Sequence, residues 1–202
     1  TGASFGIGAS KLSQTKLSSG SVHHALLKRY GRTLEPDDDV LPGVDVIHEA
    51  RTGHADELLV IGPLSNVGTY LSAQCAYPFA RVTMQGGFVP YTLYQPLVVL
   101  DAFMGKEWMP TFNLNGDRKG AQTFLNASFP RRMVGKNVCH TMVFEPQHQL
   151  SRFASPPNRA AEIFLEAGAL LKGIKRFHDP VAAVCHLHPE VRVWIDGKTV
   201  KR

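Results

Sequence analysis

The sequence contains no continuous apolar run of the roughly 18 residues that a membrane-spanning helix needs, and its opening residues do not read as a signal peptide. These absences predict a chain that does not span a membrane, with the cytoplasm as its expected compartment. Cysteine is scarce as well. Cys75, Cys139 and Cys185 are an odd number at wide spacing, each in a mostly apolar stretch, which argues against a disulfide framework and for buried, reduced thiols. Dense basic blocks are also missing. The 22 Lys and Arg outnumber the 17 Asp and Glu to give a net charge of +5, but they are scattered. The tightest groups, Lys28-Arg29 and Arg131-Arg132, lack the interleaved aromatics of a nucleic-acid platform, so a solvated face is expected and nucleic acid is not the expected partner.

What remains is the composition of an ordinary globular protein, 44% apolar and 19% charged, long enough for one sizeable core and hence a single domain over residues 1–202. The chain opens Thr1-Gly2-Ala3 without a methionine, as a processed product, a fragment or part of a longer chain would. Residues 1–22 are rich in Gly and Ser and read as loop, with a short helix at His23–Tyr30 and a polar break at Glu35–Asp39. The organisation sharpens at Leu58–Ile61, a short apolar run ended by Gly62-Pro63, the pattern of a buried parallel strand. Ser65-Asn66 then predicts a helix N-cap, with a helix over Val67–Gln74. The unit recurs as a strand at Ala80–Met84, a loop with Gly86-Gly87 and a helix at Arg118–Asn126. A third strand is predicted at Met133–Val138, and a long helix at Arg159–Lys172, with Ser155 and Pro156-Pro157 suited to its start. Alternating Val191, Val193 and Ile195 predict a late strand. Strands alternating with helices imply an α/β fold with a mostly parallel central sheet flanked by helices, whose ligands bind beyond the carboxyl ends of the strands.

Two tempting motifs fail on context. The opening Thr1–Gly8 resembles the glycine-rich loop of short-chain dehydrogenases, but no strand precedes it and the following residues 11–21 are poor in apolar side chains. Those enzymes also carry a tyrosine with a lysine four residues on. Here Tyr30, Tyr70, Tyr77, Tyr91 and Tyr94 are followed at that spacing by Leu34, Gln74, Arg81, Gln95 and Val98, so an NAD(P)-binding protein is the lesser alternative. Cys185-His186-Leu187-His188, even with Cys139-His140 as a distant complement, matches no zinc spacing and reads as a helix end.

Four other motifs sit at strand ends. Gly62-Pro63-Leu64-Ser65-Asn66 resembles the Gly-Pro-Leu-Thr-Asn turn of the inosine-uridine preferring nucleoside hydrolases. Met84-Gln85-Gly86-Gly87 resembles their Met-Gly-Gly loop, and Thr111-Phe112-Asn113 with Asp117 and Ala121 resembles their Glu-Phe-Asn turn. His178-Asp179-Pro180 matches their His-Asp-Pro motif. The four occur in the family's order and span residues 55–190, whereas residues 1–50 match nothing in the family.

The resemblance implies an N-ribosyl hydrolase that cleaves ribonucleosides to base and ribose through a ribosyl cation, with calcium holding the ribose hydroxyls and activating water. It implies Asp179 and the backbone carbonyl of Ser65 as calcium ligands, Asn113 as a hydrogen-bond partner of the ribose, Met84 as the lining beneath it, Thr111 beside it, and His178 as the acid facing the leaving base. Residue by residue there are plainer readings: Ser65-Asn66 as a cap, Asn113 as a turn residue, and Asp179 as a cap of the helix it opens. The family's N-terminal strand ending in clustered aspartates is absent, and Asp37-Asp38-Asp39 follows a polar stretch instead of an apolar strand. The expectation is therefore a domain truncated at its N-terminus relative to the family. It would be inactive or incomplete alone, or else a hydrolase-like structural or interaction subunit. A sheet shortened in this way exposes an edge that a second copy or a complementing chain would cover.

Overall fold

The computed structural model describes residues 6–7, 25–26, 28–31, 41–73, 79–94, 96, 98–149, 151, 155–171 and 173–198. Strand β1 (Gly6–Ile7) pairs in parallel with β2 (Leu41–Pro42), and helix α1 (Gly43–Thr52) follows. Next come β3 (Glu57–Val60), α2 (Ser65–Ser72), β4 (Arg81–Gln85), α3 (Phe112–Gly116), α4 (Arg118–Asn126) and β5 (Arg131–Val134). The chain continues through α5 (Lys136–Cys139), β6 (Val143–Phe144), α6 (Pro146–Gln149), α7 (Arg159–Leu170), β7 (Lys175–Arg176) and α8 (His178–Leu187). The central sheet is parallel, in the order β3-β4-β5, and β6 pairs antiparallel with β7.

Side-chain alternation along the strands explains the layers. Leu58 and Val60 of β3, Val82 and Met84 of β4 and Met133 of β5 face one side, where they pack with Leu64, Val67 and Tyr70 of the α2 region and Ala121 and Phe124 of α4. Leu59 and Val134 face the other side and meet Val181 and Ala182 of α8. The middle strand, β4, is buried from Val82 to Gln85, as a strand covered on both faces must be. The fold is thus α/β, a three-stranded parallel sheet flanked by helices. No described helix is long and apolar enough to cross a membrane.

The helix at Arg118–Asn126 has the bounds the sequence predicts, with Asp117 as its cap: the Gly120 N–H donates to Asp117 Oδ1 at 2.9 Å. Elsewhere the structure corrects the reading. Leu64, not Ser65, caps α2, and it does so without a side-chain bond. Asn158 caps α7, its Oδ1 accepting from the Ala161 N–H at 3.0 Å. The strand predicted to reach Val138 stops at Val134, because the N–H groups of Val138 and Cys139 turn back to the Gly135 carbonyl and close a helical turn. Val191, Val193 and Ile195 form no ladder. The alternation is real but inverted, with Val193 91% and Ile195 67% exposed while Trp194 packs inward. Residues 25–26 and 28–29 are helical as predicted; the remainder of His23–Tyr30 falls partly outside the described residues, as do Cys75 and Asp37–Asp39 entirely.

Helices α2 and α4 approach closely because two glycines face each other. A Cβ on Gly68 would stand 2.4 Å from Gly120 Cα, and one on Gly120 would stand 2.4 Å from the Leu64 carbonyl oxygen. Alanine normally favours a helix over glycine by about 1 kcal/mol, but overpacking against backbone costs about 1–3 kcal/mol or more. Gly68→Ala and Gly120→Ala are therefore expected to lower the urea midpoint of unfolding. Gly197→Ala, with open space around it, should leave the midpoint unchanged; equal behaviour of all three would contradict the close crossing.

Candidate functional site

The carboxyl ends of β3 and β4 are joined by one side chain. Asn113, in the first turn of α3, is 5% exposed, and its Nδ2 donates to the Ile61 carbonyl at 3.2 Å, the Gln85 carbonyl at 2.9 Å and Gln85 Oε1 at 2.8 Å. Its amide protons are committed to the strand ends, which leaves Oδ1 as the group a ligand hydroxyl can meet. Thr111 is also buried, and its hydroxyl accepts from the Gly87 N–H at 3.4 Å. Gly86 and Gly87 have φ of +154° and +89°, conformations that favour glycine. A Cβ on Gly86 would lie 3.0 Å from the Met84 methyl, so Met84, fully buried in the apolar core, lies directly beneath this turn.

From Gln85 a line of hydrogen bonds runs to α8. Gln85 Nε2 donates to Cys139 Sγ at 3.7 Å, and the single proton of that thiol is shared between the backbone carbonyls of His178 at 3.7 Å and Val134 at 3.8 Å. Burial pushes the Cys139 thiol up to about 11, so it stays protonated and able to donate. His178, half-buried at the start of α8, packs edge-on against His140 with ring centroids 5.0 Å apart, and His140 lies 5.1 Å from Phe103. Phe88 and Tyr91 extend this wall at 5.4 and 6.5 Å from Phe103. Asn137 fixes the loop that carries the wall, accepting from the Val89 N–H and donating to the Val89 carbonyl, both at 2.9 Å.

Electrostatically the site favours neutral groups. Burial holds His178 below the ordinary histidine range, with the adjacent Asp179 opposing the shift. The same desolvation raises the exposed Asp179 carboxyl, against the pull of His178. Desolvation, helped by His178 and nearby cations, lowers His140 to about 4.

Met84, Thr111 and Asn113 thus meet around the Gly86-Gly87 turn, and His178 with Asp179 joins them through Gln85 and Cys139. Asp179 does not cap α8; Phe177 holds that position without a side-chain bond. The Ser65 carbonyl accepts from the Thr69 hydroxyl at 2.8 Å within α2. Sequence reading passed over Gln85 and His140 as site residues, although both stand inside or beside motifs it noted. Calcium takes roughly six to eight oxygens. Among the described residues no three His, Cys, Asp or Glu side chains cluster as metal ligands, and Asp179 is the one carboxylate at the site. These residues do not by themselves fit a calcium ion.

No family model matches the sequence, and no curated protein matches it. The fold does match solved structures. A purine-preferring ribonucleoside hydrolase from Gardnerella vaginalis superposes with a TM-score of 0.56 at 14% identity, over 78% of this chain and 50% of that one. A plant nucleoside hydrolase gives 0.55 at 17% identity, over 80% of this chain and 51% of that one. The chain has a nucleoside hydrolase-like fold and spans about half the length of these structures.

Because folded His140 has a lower pKa than in the unfolded chain, protonation favours unfolding. Stability is complete above the unfolded value of about 6.5 and is lost as pH falls towards about 4. His178 and His186 are lowered too and act in the same direction. His140→Phe, which keeps an aromatic ring against His178 and Phe103, is expected to make denaturant-determined stability less steep over this window. A slope identical to that of the parent would contradict the assignment of His140 as a half-buried, neutral ring.

Proposed function

We propose that the protein is a ribonucleoside hydrolase and that the described residues form the ribose- and base-facing half of its site. The observation that carries this reading is the bonded line from Asn113 through Gln85 and Cys139 to His178, which gathers three of the four motifs at the sheet end where such folds bind ligands. The likeness to two nucleoside hydrolases supports it at the level of fold.

In this reading Asn113 Oδ1 accepts a ribose hydroxyl, Met84 closes the floor, and Thr111 borders the sugar. The wall of His140, Phe103, Phe88 and Tyr91 offers aromatic surface to the base, where offset contacts of this kind contribute about 0.5–1.5 kcal/mol each. Cleavage of the N-glycosidic bond leaves its electron pair on the base nitrogen. His178 supplies a hydrogen bond there and, when protonated, the proton; water then captures the ribosyl cation and releases its proton to solvent, leaving neutral ribose. With its pKa lowered, His178 is mostly neutral at pH 7, so its contribution as an acid grows as pH falls. Calcium, which the motif resemblance implies, would need carboxylates from beyond the described residues, and no step here is assigned to it.

A second reading has its own observation. Thr111 stands where the family has an acidic residue, and the calcium donor set falls short, both of which favour a hydrolase-like binding or interaction subunit without catalysis. Base release from inosine and uridine, measured beside nucleoside binding, separates the two. The hydrolase reading predicts turnover that falls by about 10²–10⁴-fold in His178→Gln, the usual contribution of a general acid, with binding retained. Binding without turnover would contradict catalysis by this chain alone, and the absence of both binding and turnover would contradict both readings.

A further inference from the structure

The amino ends of the three strands, opposite the candidate site, carry a different constellation. Glu57 opens β3, Arg81 opens β4, and Arg132 is the second residue of β5. Four steps of about 3.3 Å along β4 set Arg81 about 13 Å from Gln85 at the carboxyl end, while Arg132 pairs with Thr83 in mid-strand. The end of α8 lays His186 over it, and the segment that follows adds Arg192 and Trp194. Glu57 is bonded by the Arg81 guanidinium and lies 3.3 Å from His186 Nε2, while His186 Nδ1 is 2.9 Å from the Thr83 hydroxyl. The guanidiniums of Arg132 and Arg192 stand over the Trp194 ring at 5.2 and 5.5 Å. Arg81, Arg192 and Arg132 all act electrostatically on His186, so each adds positive potential to this region.

Two counts remain open there. Three guanidiniums face two carboxylates, Glu57 beside Arg81 and Glu190 acting on Arg192, which leaves one positive charge in excess even with His186 neutral. The donors are short of acceptors as well: Arg81 Nε, Arg192 Nε and Nη1, and Trp194 Nε1 are buried without hydrogen-bond partners. Stacking on an indole uses the face of a guanidinium and leaves its N–H edge unmet. Buried donors without acceptors are costly and uncommon. A water molecule would satisfy the donors but not the charge, whereas an oxyanion satisfies both. The donors come from three side chains on two separate segments, which suits a tetrahedral anion better than a planar carboxylate. We infer that this patch is a binding site for a phosphate-class oxyanion, with Arg192, Arg81 and Trp194 donating to its oxygens and Arg132 adding charge. It shares none of its donors with the nucleoside site, although Trp194 packs on the cluster that holds Val134 and Cys139.

The test is titration of the purified chain with inorganic phosphate at constant ionic strength, chloride making up the difference, read by calorimetry and by thermal midpoint. Saturable binding with a rising midpoint is expected. Loss of one donor from a charge-assisted set should weaken half-saturation by about tenfold or more in Arg192→Gln and in Trp194→Phe. The second variant keeps an aromatic ring under the guanidiniums while removing the indole N–H and part of the stacking face, so it tests the site even if the first does not fold. Absence of saturable binding in the parent, or unchanged affinity in Trp194→Phe, would overturn the site. Acetate binding as tightly as phosphate would overturn the tetrahedral preference.

Discussion

The amide of Asn113 holds the carboxyl ends of β3 and β4 together, and the rest of the candidate site is arranged around that bond set. Parallel strands end in carbonyl groups with no further ladder partner, and a buried carbonyl left unmet costs about 1–3 kcal/mol. One buried amide meets the Ile61 and Gln85 carbonyls and the Gln85 side chain together. This fixes the Gln85 amide toward Cys139, and through Cys139 it ties the start of α8 to the sheet. A polar network of this kind rigidifies its surroundings when every member is satisfied.

The close crossing of α2 and α4 at Gly68 and Gly120 supports the same end of the sheet from the other side. Gly116, just before α4, continues this close approach, since a Cβ there would stand 2.9 Å from Pro63. The turn after β3 and the turn before α4 are therefore packed backbone against ring, which places Asn113 on a rigid mount. The sheet consequently has two chemically distinct ends. Its carboxyl end is lined by amides, aromatics and histidines held neutral by burial, with Asp179 as its one carboxylate among the described residues. Its amino end gathers guanidiniums with unmet donors, suited to an anion.

Much of this was legible in the residues. The apolar run at Leu58–Ile61 and the buried Val82–Met84 mark strands because β-branched and apolar side chains pack on both faces of a parallel sheet. Asp117 before Arg118–Asn126 is a helix start by simple capping chemistry. Contacts between distant residues were not legible. Gln85 and Cys139 are 54 positions apart, and no local pattern announces their bond. The aromatic wall was hidden for a related reason: Phe88, Tyr91 and Phe103 lie in a loop without periodicity, and only the fold brings them to His140. The alternation at Val191–Ile195 misled because period two reports an extended backbone, not which face meets a partner. Those apolar side chains point to solvent while Arg192 and Trp194 turn inward.

The central claim is that Asn113 and His178 belong to one nucleoside site at the carboxyl ends of the strands. Nuclear magnetic resonance of the 15N-labelled chain titrated with inosine tests it most directly, through the side-chain amide of Asn113 and the imidazole of His178. Both signals are predicted to move with a single saturation curve. Movement of neither signal, or saturation of the two at different inosine concentrations, would contradict the account.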